Sequence, residues 1–378
     1  ILLEDIMLRF DIGAATFGQI SGIYYIGYSL IHLPLGIMLD RVGPKKVIPL
    51  CMLLTVVGML PLITANNWVY PLLGRALVGI GSSGAILGVF KIIRMAFSEK
   101  LFPRMLSISV TIGLIGAIWG GAPVNYMCNA LGYQAVIGIF ALFGVVLALG
   151  AYFIIPRVDK EKTGSAFSDI KKVISNSRVM LTCLSAGLFL GPLEGFADVW
   201  GKVFFKHVYG FDGTIAASLV SMIFVGMCFG SPVLNFIAEK VKCYSSPVIG
   251  SGIVMAAGFV ALLLGALTSG TVTVLFILIG ICCSYQILAI YKASTYVSEN
   301  LAGLTTALAN MIIMLFGYGF HTAIGTVVNQ MGGPESALAL KYGVAVIPAT
   351  LVLGIVGFTY LYIQELREKA SRSQKTVS

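Results

Sequence analysis

The segment Gly79-Ile-Gly-Ser-Ser-Gly-Ala-Ile-Leu-Gly-Val-Phe-Lys91 returns later in the chain as Gly280-Ile-Cys-Cys-Ser-Tyr-Gln-Ile-Leu-Ala-Ile-Tyr-Lys292, at an offset of 201 residues. Six of the thirteen positions are identical, and Val89/Ile290 and Phe90/Tyr291 are close exchanges. The same offset aligns Phe10-Asp11 with Phe211-Asp212. A repeat at this interval describes two similar units in series and in parallel orientation.

Both copies lie in apolar runs. Hydrophobic residues fill 58% of the 378 positions and charged residues only 11%, with a mean hydropathy of +0.94. A soluble domain carries roughly a quarter charged residues because its surface is wet. This chain must instead turn most of its surface toward lipid and other helices, which excludes a soluble enzyme or a nucleic-acid binder. The net charge of +9 sits mainly in short connections, where it reports topology rather than an acidic partner. The seven cysteines (Cys51, Cys128, Cys183, Cys228, Cys243, Cys282, Cys283) show neither disulfide nor metal-ligand spacing. Cys282-Cys283 is read as packing, and no metal or cofactor is expected.

A membrane span needs about 20 mostly apolar residues. Eleven runs qualify: 14–39, 47–64, 68–97, 104–127, 133–155, 179–206, 214–237, 247–268, 271–297, 302–328 and 342–363. Alternate connections differ sharply in charge. Arg41, Lys45 and Lys46, then Lys100 and Arg104, the 156–178 stretch, Lys240 and Lys242, and the tail form a basic set. The connections near 66, 130 and 270 hold no Lys or Arg. The positive-inside rule places the basic set and the C-terminus in the cytoplasm of a plasma (inner) membrane. Shifting the 179–206 run back by the repeat interval puts its counterpart almost wholly before residue 1, so a first helix is expected to be missing, with Ile1-Leu2-Leu3 as its outer end. The expected fold is all-α and polytopic. A first unit spans 1–155, a solvated cytoplasmic linker 156–178, and a second unit 179–378.

The turn Gly36-Ile-Met-Leu-Asp40-Arg41-Val-Gly43-Pro-Lys45-Lys46 closely resembles the loop signature of the major facilitator superfamily, and Arg75-Ala-Leu-Val-Gly79-Ile-Gly81 is similar to its fourth-helix signature. Pro44 departs from the loop pattern, and the second copy, Asn235 to Lys242, keeps only Glu239 and Lys240. The resemblance implies two six-helix halves, with eleven of the twelve helices visible, and alternating access to a small solute by a monomer. It also implies a gating role for Gly36, Asp40, Arg41 and Gly43, and a cavity-facing Arg75. An acid at a helix end beside an Arg can form such a latch on electrostatic grounds alone. Gly113, Gly116, Gly120, Gly121 and Pro123 place glycines before proline, the reverse of the superfamily's exporter signature.

Charges at membrane depth are functional hypotheses by default. Glu194 falls at the midpoint of its run; Asp198 lies about 6 Å further along and Lys202 continues the same face. Gly191-Pro192, Gly195 and Gly201 loosen this helix, and Glu194 and Asp198 are the expected proton-coupling acids. A structural acid–lysine ladder is the alternative. Lys91 and Lys292 each lie roughly 12 Å past a helix midpoint. They either snorkel to the interface or face each other across a cavity and attract an anionic group. Gln286, Tyr285, Trp119 and Trp200 could contact a solute. His32 and His321 read first as hydrogen-bonded packing residues.

The expectation is a proton-coupled symporter taking up a small anionic or zwitterionic metabolite, with a proton-driven exporter as the alternative. A membrane enzyme is disfavoured, because His32, His207 and His321 are scattered and no nucleophile accompanies them.

Overall fold

The computed structural model of the chain describes residues 3–97, 101–156, 166–241, 243–265 and 267–377. Every element formed among them is helical. In order these are α1 (Leu3–Phe10), α2 (Ala14–Arg41), α3 (Pro44–Met59, extended by the turn Pro61–Thr64), α4 (Val69–Ala96), α5 (Phe102–Trp119), α6 (Ala122–Leu131), α7 (Tyr133–Ile154) and α8 (Ala166–Ile174). Then follow α9 (Ser177–Gly187), a π-helical segment Gly191–Trp200, α10 (Gly201–Val208), α11 (Gly213–Val241), α12 (Ser245–Leu264), α13 (Ser269–Cys283), α14 (Tyr285–Ser294), α15 (Glu299–Gln330) and α16 (Ala337–Val377).

Among the described residues, ten helices are long and apolar enough to cross a membrane. Over the expected run 104–127, the chain forms α5 and α6 in series. Gly121 leaves the helical region (φ −81°, ψ −116°), and Pro123 lacks the N–H needed to continue the preceding helix. The expected solvated linker also needs correction. Its second part is α8, and Val173 is buried with Val179, Cys183, Leu301 and Leu308. Ile170 and Val173 share one helical face, while Lys171 and Lys172 stay exposed, so the segment docks instead of floating. Asn176 then caps α9 by accepting from the backbone N–H groups of Arg178 and Val179.

The sequence repeat reappears as a repeated helix crossing. A Cβ on Gly79 of α4 would collide with the carbonyl oxygen of Tyr24 on α2, and one on Gly280 of α13 would collide with that of Ile223 on α11. Gly27 against Ala76 and Gly226 against Ile277 complete the two crossings. Bare backbone at these points lets the helix axes approach closely, the usual device where lipid offers no hydrophobic drive to associate.

Elements before residue 156 meet those after 178 along two seams, α2 on α15 and α5 on α11. The first is long. It runs from Gly18 and Gly22, which lie against His321, down to Leu33, which packs beside Leu308. At one end Glu4 of α1 accepts from Lys206 at 2.7 Å and faces His207 at 3.1 Å. Partial burial raises the Glu4 pKa, but the interactions with Lys206 and His207 outweigh it and hold the carboxyl below its ordinary value.

Gly280→Ala is expected to lower the thermal midpoint of the detergent-solubilised protein, by overpacking of about 1–3 kcal/mol. Gly250→Ala, where an added Cβ meets nothing within 4 Å, should leave it unchanged or slightly raised. Equal midpoints for the two variants would refute the close-crossing account.

Candidate solute and proton site

The π-helical segment decides the geometry. Gly191 and Pro192 open it: Pro192 removes one N–H donor and the chain widens into one extra residue per turn, a winding found mostly at functional sites. Leu193, Phe196 and Val199 turn into the hydrophobic core. Glu194 and Asp198 thereby emerge on the side that meets α2 and α15.

Tyr25 of α2 donates its hydroxyl to Glu194 Oε2 and lies 3.3 Å from Asp198 Oδ2. A phenol carries one hydrogen, so it can satisfy only one carboxylate at a time. His321 of α15, fully buried, places Nε2 3.4 Å from Asp198 Oδ2 and stacks on the Tyr25 ring at 5.3 Å. At that distance neither ring nitrogen makes a directed hydrogen bond among the described residues; the contact is electrostatic. Arg75 of α4 sits 5.2 Å over the Tyr24 ring, and its charge acts on Asp198. Tyr24 in turn receives the hydroxyl of Ser82 at 3.0 Å. Two acids, a histidine, an arginine and two phenols thus converge from four helices.

Asp198 lies deep between helices yet keeps 41% of its side chain exposed, because it opens on a cavity of about 240 Å³. The cavity lies between the α5–α6 break, the π segment and α11. Gly120, Gly121, Ser221 and Lys202 also line it. Lys202 donates to Asn125 Oδ1 of α6 at 2.6 Å.

The family profile described as Major Facilitator Superfamily matches residues 1–322. This chain belongs to the major facilitator superfamily. It is 30% identical over 161 residues to an uncharacterized transporter of Buchnera aphidicola (40% of this chain, and only 37% of that protein's length). It is 24% identical over 332 residues to the chloramphenicol resistance protein CraA of Acinetobacter baumannii (83% and 78%). Identity to the lysosomal dipeptide transporter MFSD1 of Danio rerio is 23% over 269 residues (63% and 57%). Among solved structures, an aspartate-to-alanine mutant of the nucleoside transporter NupG superposes with a TM-score of 0.80 at 14% identity, covering 96% of this chain and 94% of that one. A bacterial homologue of the lysosomal transporter Spinster, inward-facing and occupied, gives 0.72 at 18% (96% and 91%). These likenesses establish the fold of a multi-pass secondary transporter.

For a major facilitator chain, several expected site residues stand elsewhere. Lys292 does not line the cavity beside Asp198; it pairs with Glu365 Oε1 of α16 at 2.7 Å and lies 5.2 Å over the Tyr296 ring. Tyr296 donates to the same carboxylate, and Arg178 pairs with Glu368 one turn on. Burial, reinforced by Glu365, raises the Tyr296 pKa above the ordinary phenol range. Lys91 is half-buried on α4. Tyr285 is a core residue: 2% exposed, it donates to the Ala186 carbonyl at 2.8 Å and packs edge-on to Phe189. Trp200 is fully buried against Phe17, its Nε1 finding no acceptor among the described residues. Gln286 Nε2 is likewise buried and unpaired there, and Trp119 is 60% exposed. None of these four lines the cavity.

Of the gating residues, Asp40's side chain lies outside the described residues. Arg41 is exposed at the end of α2. A Cβ on Gly36 would meet nothing within 4 Å, so no close approach requires that glycine here. Gly43 is different: its φ of +91° at the start of α3 strains any other residue. Lys45 donates to the Ile155 carbonyl at the end of α7, at 2.9 Å, and so does more than mark topology.

Sequence reasoning missed Tyr25, Tyr24 and Asn125, and took His321 for packing. A signal was present for the phenols. Tyr25, Tyr28 and His32 recur at helical spacing on α2, and His32 meets Ser83 at 3.2 Å.

Glu365→Gln should destabilise the protein by on the order of 3 kcal/mol, because it leaves the partly buried Lys292 unpaired. The exchange Lys292→Glu with Glu365→Lys should recover much of that loss. A single variant melting like the wild type would show the pair to be incidental.

Proposed function

We propose that this secondary transporter is a proton-coupled symporter that takes up a small anionic or zwitterionic metabolite. On this reading it works as a monomer in a plasma (inner) membrane, with its basic connections and C-terminus in the cytoplasm. The observation that carries the reading is one Tyr25 hydroxyl facing two carboxylates across the α2 seam. Two acids sharing one phenol hydrogen are suited to hold a proton between them, and buried carboxyls of this kind act as proton carriers in membrane proteins.

The mechanism follows from which helices supply the partners. Tyr25 belongs to 1–155, whereas Glu194, Asp198 and His321 belong to 179–378. With both acids charged, the bond from Tyr25 and the pull of Arg75 hold these two units together. A proton on Glu194 removes one charge and weakens its claim on Tyr25. The freed phenol can then turn to Asp198 or release, and the seam can rock. Solute enters the cavity beside Asp198, so binding acts on one acid of the pair and protonation on the other, and the Tyr25 hydroxyl connects them. The similarity to a dipeptide transporter fits a zwitterionic solute. The similarity to a chloramphenicol resistance protein favours the second reading, a proton-driven exporter.

The test uses liposomes and a solute found by thermal-shift screening of amino acids, hydroxy acids, nucleosides and sugar phosphates, since a ligand stabilises the folded state by mass action. An inward proton gradient should drive accumulation in the wild type. Glu194→Gln should abolish that accumulation and preserve exchange of labelled for unlabelled solute, the neutral amide standing in for the protonated acid. Tyr25→Phe should reduce both. Normal pH-driven accumulation by Glu194→Gln would remove the proton from this residue, and proton-driven efflux would select the exporter.

A further inference from the structure

The cavity beside Asp198 has two poles of opposite charge, and both are held in place before any ligand arrives. At the acidic pole, Asp198 is directed by Tyr25 and His321. At the basic pole, one turn further along the same chain segment, Lys202 is tied to Asn125. Both charged side chains line the cavity.

Asn125 supplies the second, independent observation. It is 1% exposed, and its Nδ2 has no hydrogen-bond partner among the described residues. An ammonium group can only donate, so the atom facing Lys202 must be the amide oxygen, and the amide hydrogens cannot be exchanged into that position by flipping the group. Asn125 stands one helical turn beyond Gly121, whose carbonyl accepts from the Asn125 backbone N–H at 3.0 Å, and Gly121 lines the cavity. A buried amide donor without an acceptor is unfavourable. Here the same amide accepts from the lysine of the cavity wall and holds that side chain in place, while Asn125 itself is not among the residues that line the cavity.

Charge complementarity then selects the ligand. A plain carboxylate or a phosphate ester would gain at Lys202 and meet repulsion from Asp198, with Glu194 behind it. A plain amine would gain at Asp198 and be repelled by Lys202. A molecule with a free ammonium at one end and a free carboxylate at the other satisfies both poles. The volume of about 240 Å³ falls below the roughly 300–1,000 Å³ of drug-sized sites, which restricts that molecule to a small one. We infer that the cavity binds a small zwitterion, a free α-amino acid or a short unblocked peptide, with its ammonium at Asp198 and its carboxylate on Lys202. This rests on the carrier reading above and deepens it by naming the solute class and its contacts.

The experiment compares free and blocked ligands on the purified full chain in detergent, read as thermal midpoint against concentration. The probes are the twenty common amino acids, L-alanyl-L-alanine, and its N-acetylated and C-amidated forms. At least one free zwitterion should raise the midpoint at concentrations where its two blocked forms do not. Lys202→Gln should weaken that zwitterion at least tenfold and erase the preference over the C-amidated form, while the preference over the N-acetylated form remains. Asn125→Ala should weaken it less. The wild-type comparison needs no variant, so a poorly folding Lys202→Gln does not rescue the idea. No shift from any probe, equal shifts from free and blocked forms, or full affinity in well-folded Lys202→Gln would each overturn the assignment. Proton coupling is separable: zwitterion selectivity with normal accumulation by Glu194→Gln would sink only the coupling scheme, and pH-driven transport of a different solute would sink only this inference.

Discussion

Two carboxylates inside an apolar helix bundle must find partners, because an unpaired charge at membrane depth is several kcal/mol unfavourable. Glu194 and Asp198 occupy one short segment, and the groups that answer them come from α2, α4 and α15. That requirement fixes much of the rest. Tyr25 reaches the acids only because α2 lies directly on α15, and the helices lie that close only because Gly18, Gly22 and Gly325 offer bare backbone at the contact. His321 fills the space beside Gly22 and is thereby pressed between the phenol ring and Asp198. Packing and electrostatics are one problem at this seam.

The two seams between the units also explain where the cavity lies. On the α2–α15 seam Gly22 faces His321, and on the α11 side Ser221 faces Gly121. Each member of one contact is displaced from its mate by the repeat interval to within two residues. The first seam therefore carries an imidazole where the second carries only a hydrogen atom. What is filled and polar on one side is open on the other, and Asp198 sits between them, touching His321 and lining the cavity. The repeat supplies the frame, and the acid pair and the cavity lie where the two copies diverged.

Much of this was legible before any coordinates. Apolar length revealed the spans, the Gly79/Gly280 repeat gave two similar units whose repeated crossing the structure displays, and the depth of Glu194 marked the acid pair. The partners were not legible. Tyr25 is 169 residues from Glu194 in sequence and Asn125 is 77 from Lys202, and no local pattern encodes such a meeting. The same limit hid the partner of Lys292. The repeat matched it to Lys91, but its ion pair is with Glu365, a residue of α16 outside the matched segment. Tyr285 and Trp200 looked available as polar aromatics, yet each lies on the buried face of its helix, where large rings pack. The 156–178 stretch looked solvated because lysines dominate its composition. Two apolar residues three apart, Ile170 and Val173, were enough to dock α8.

Asp198 belongs to both sets of contacts, and this has a thermodynamic consequence under the proposed mechanism. Its carboxylate answers Tyr25, His321 and the charge of Arg75 on one side and is open to the cavity on the other. A cationic group arriving from the cavity takes over part of the work of those three partners. Tyr25 is then free to commit its single hydrogen to Glu194, and the proton affinity of Glu194 must change as a result. Linkage makes the effect mutual: whatever solute does to proton binding, protons do to solute binding by the same factor. A lone carboxylate in the cavity would force solute and proton to compete for one site. Two carboxylates, one facing the solute and both facing a shared phenol, let each influence the other without exclusion, and that is the condition a symporter has to meet.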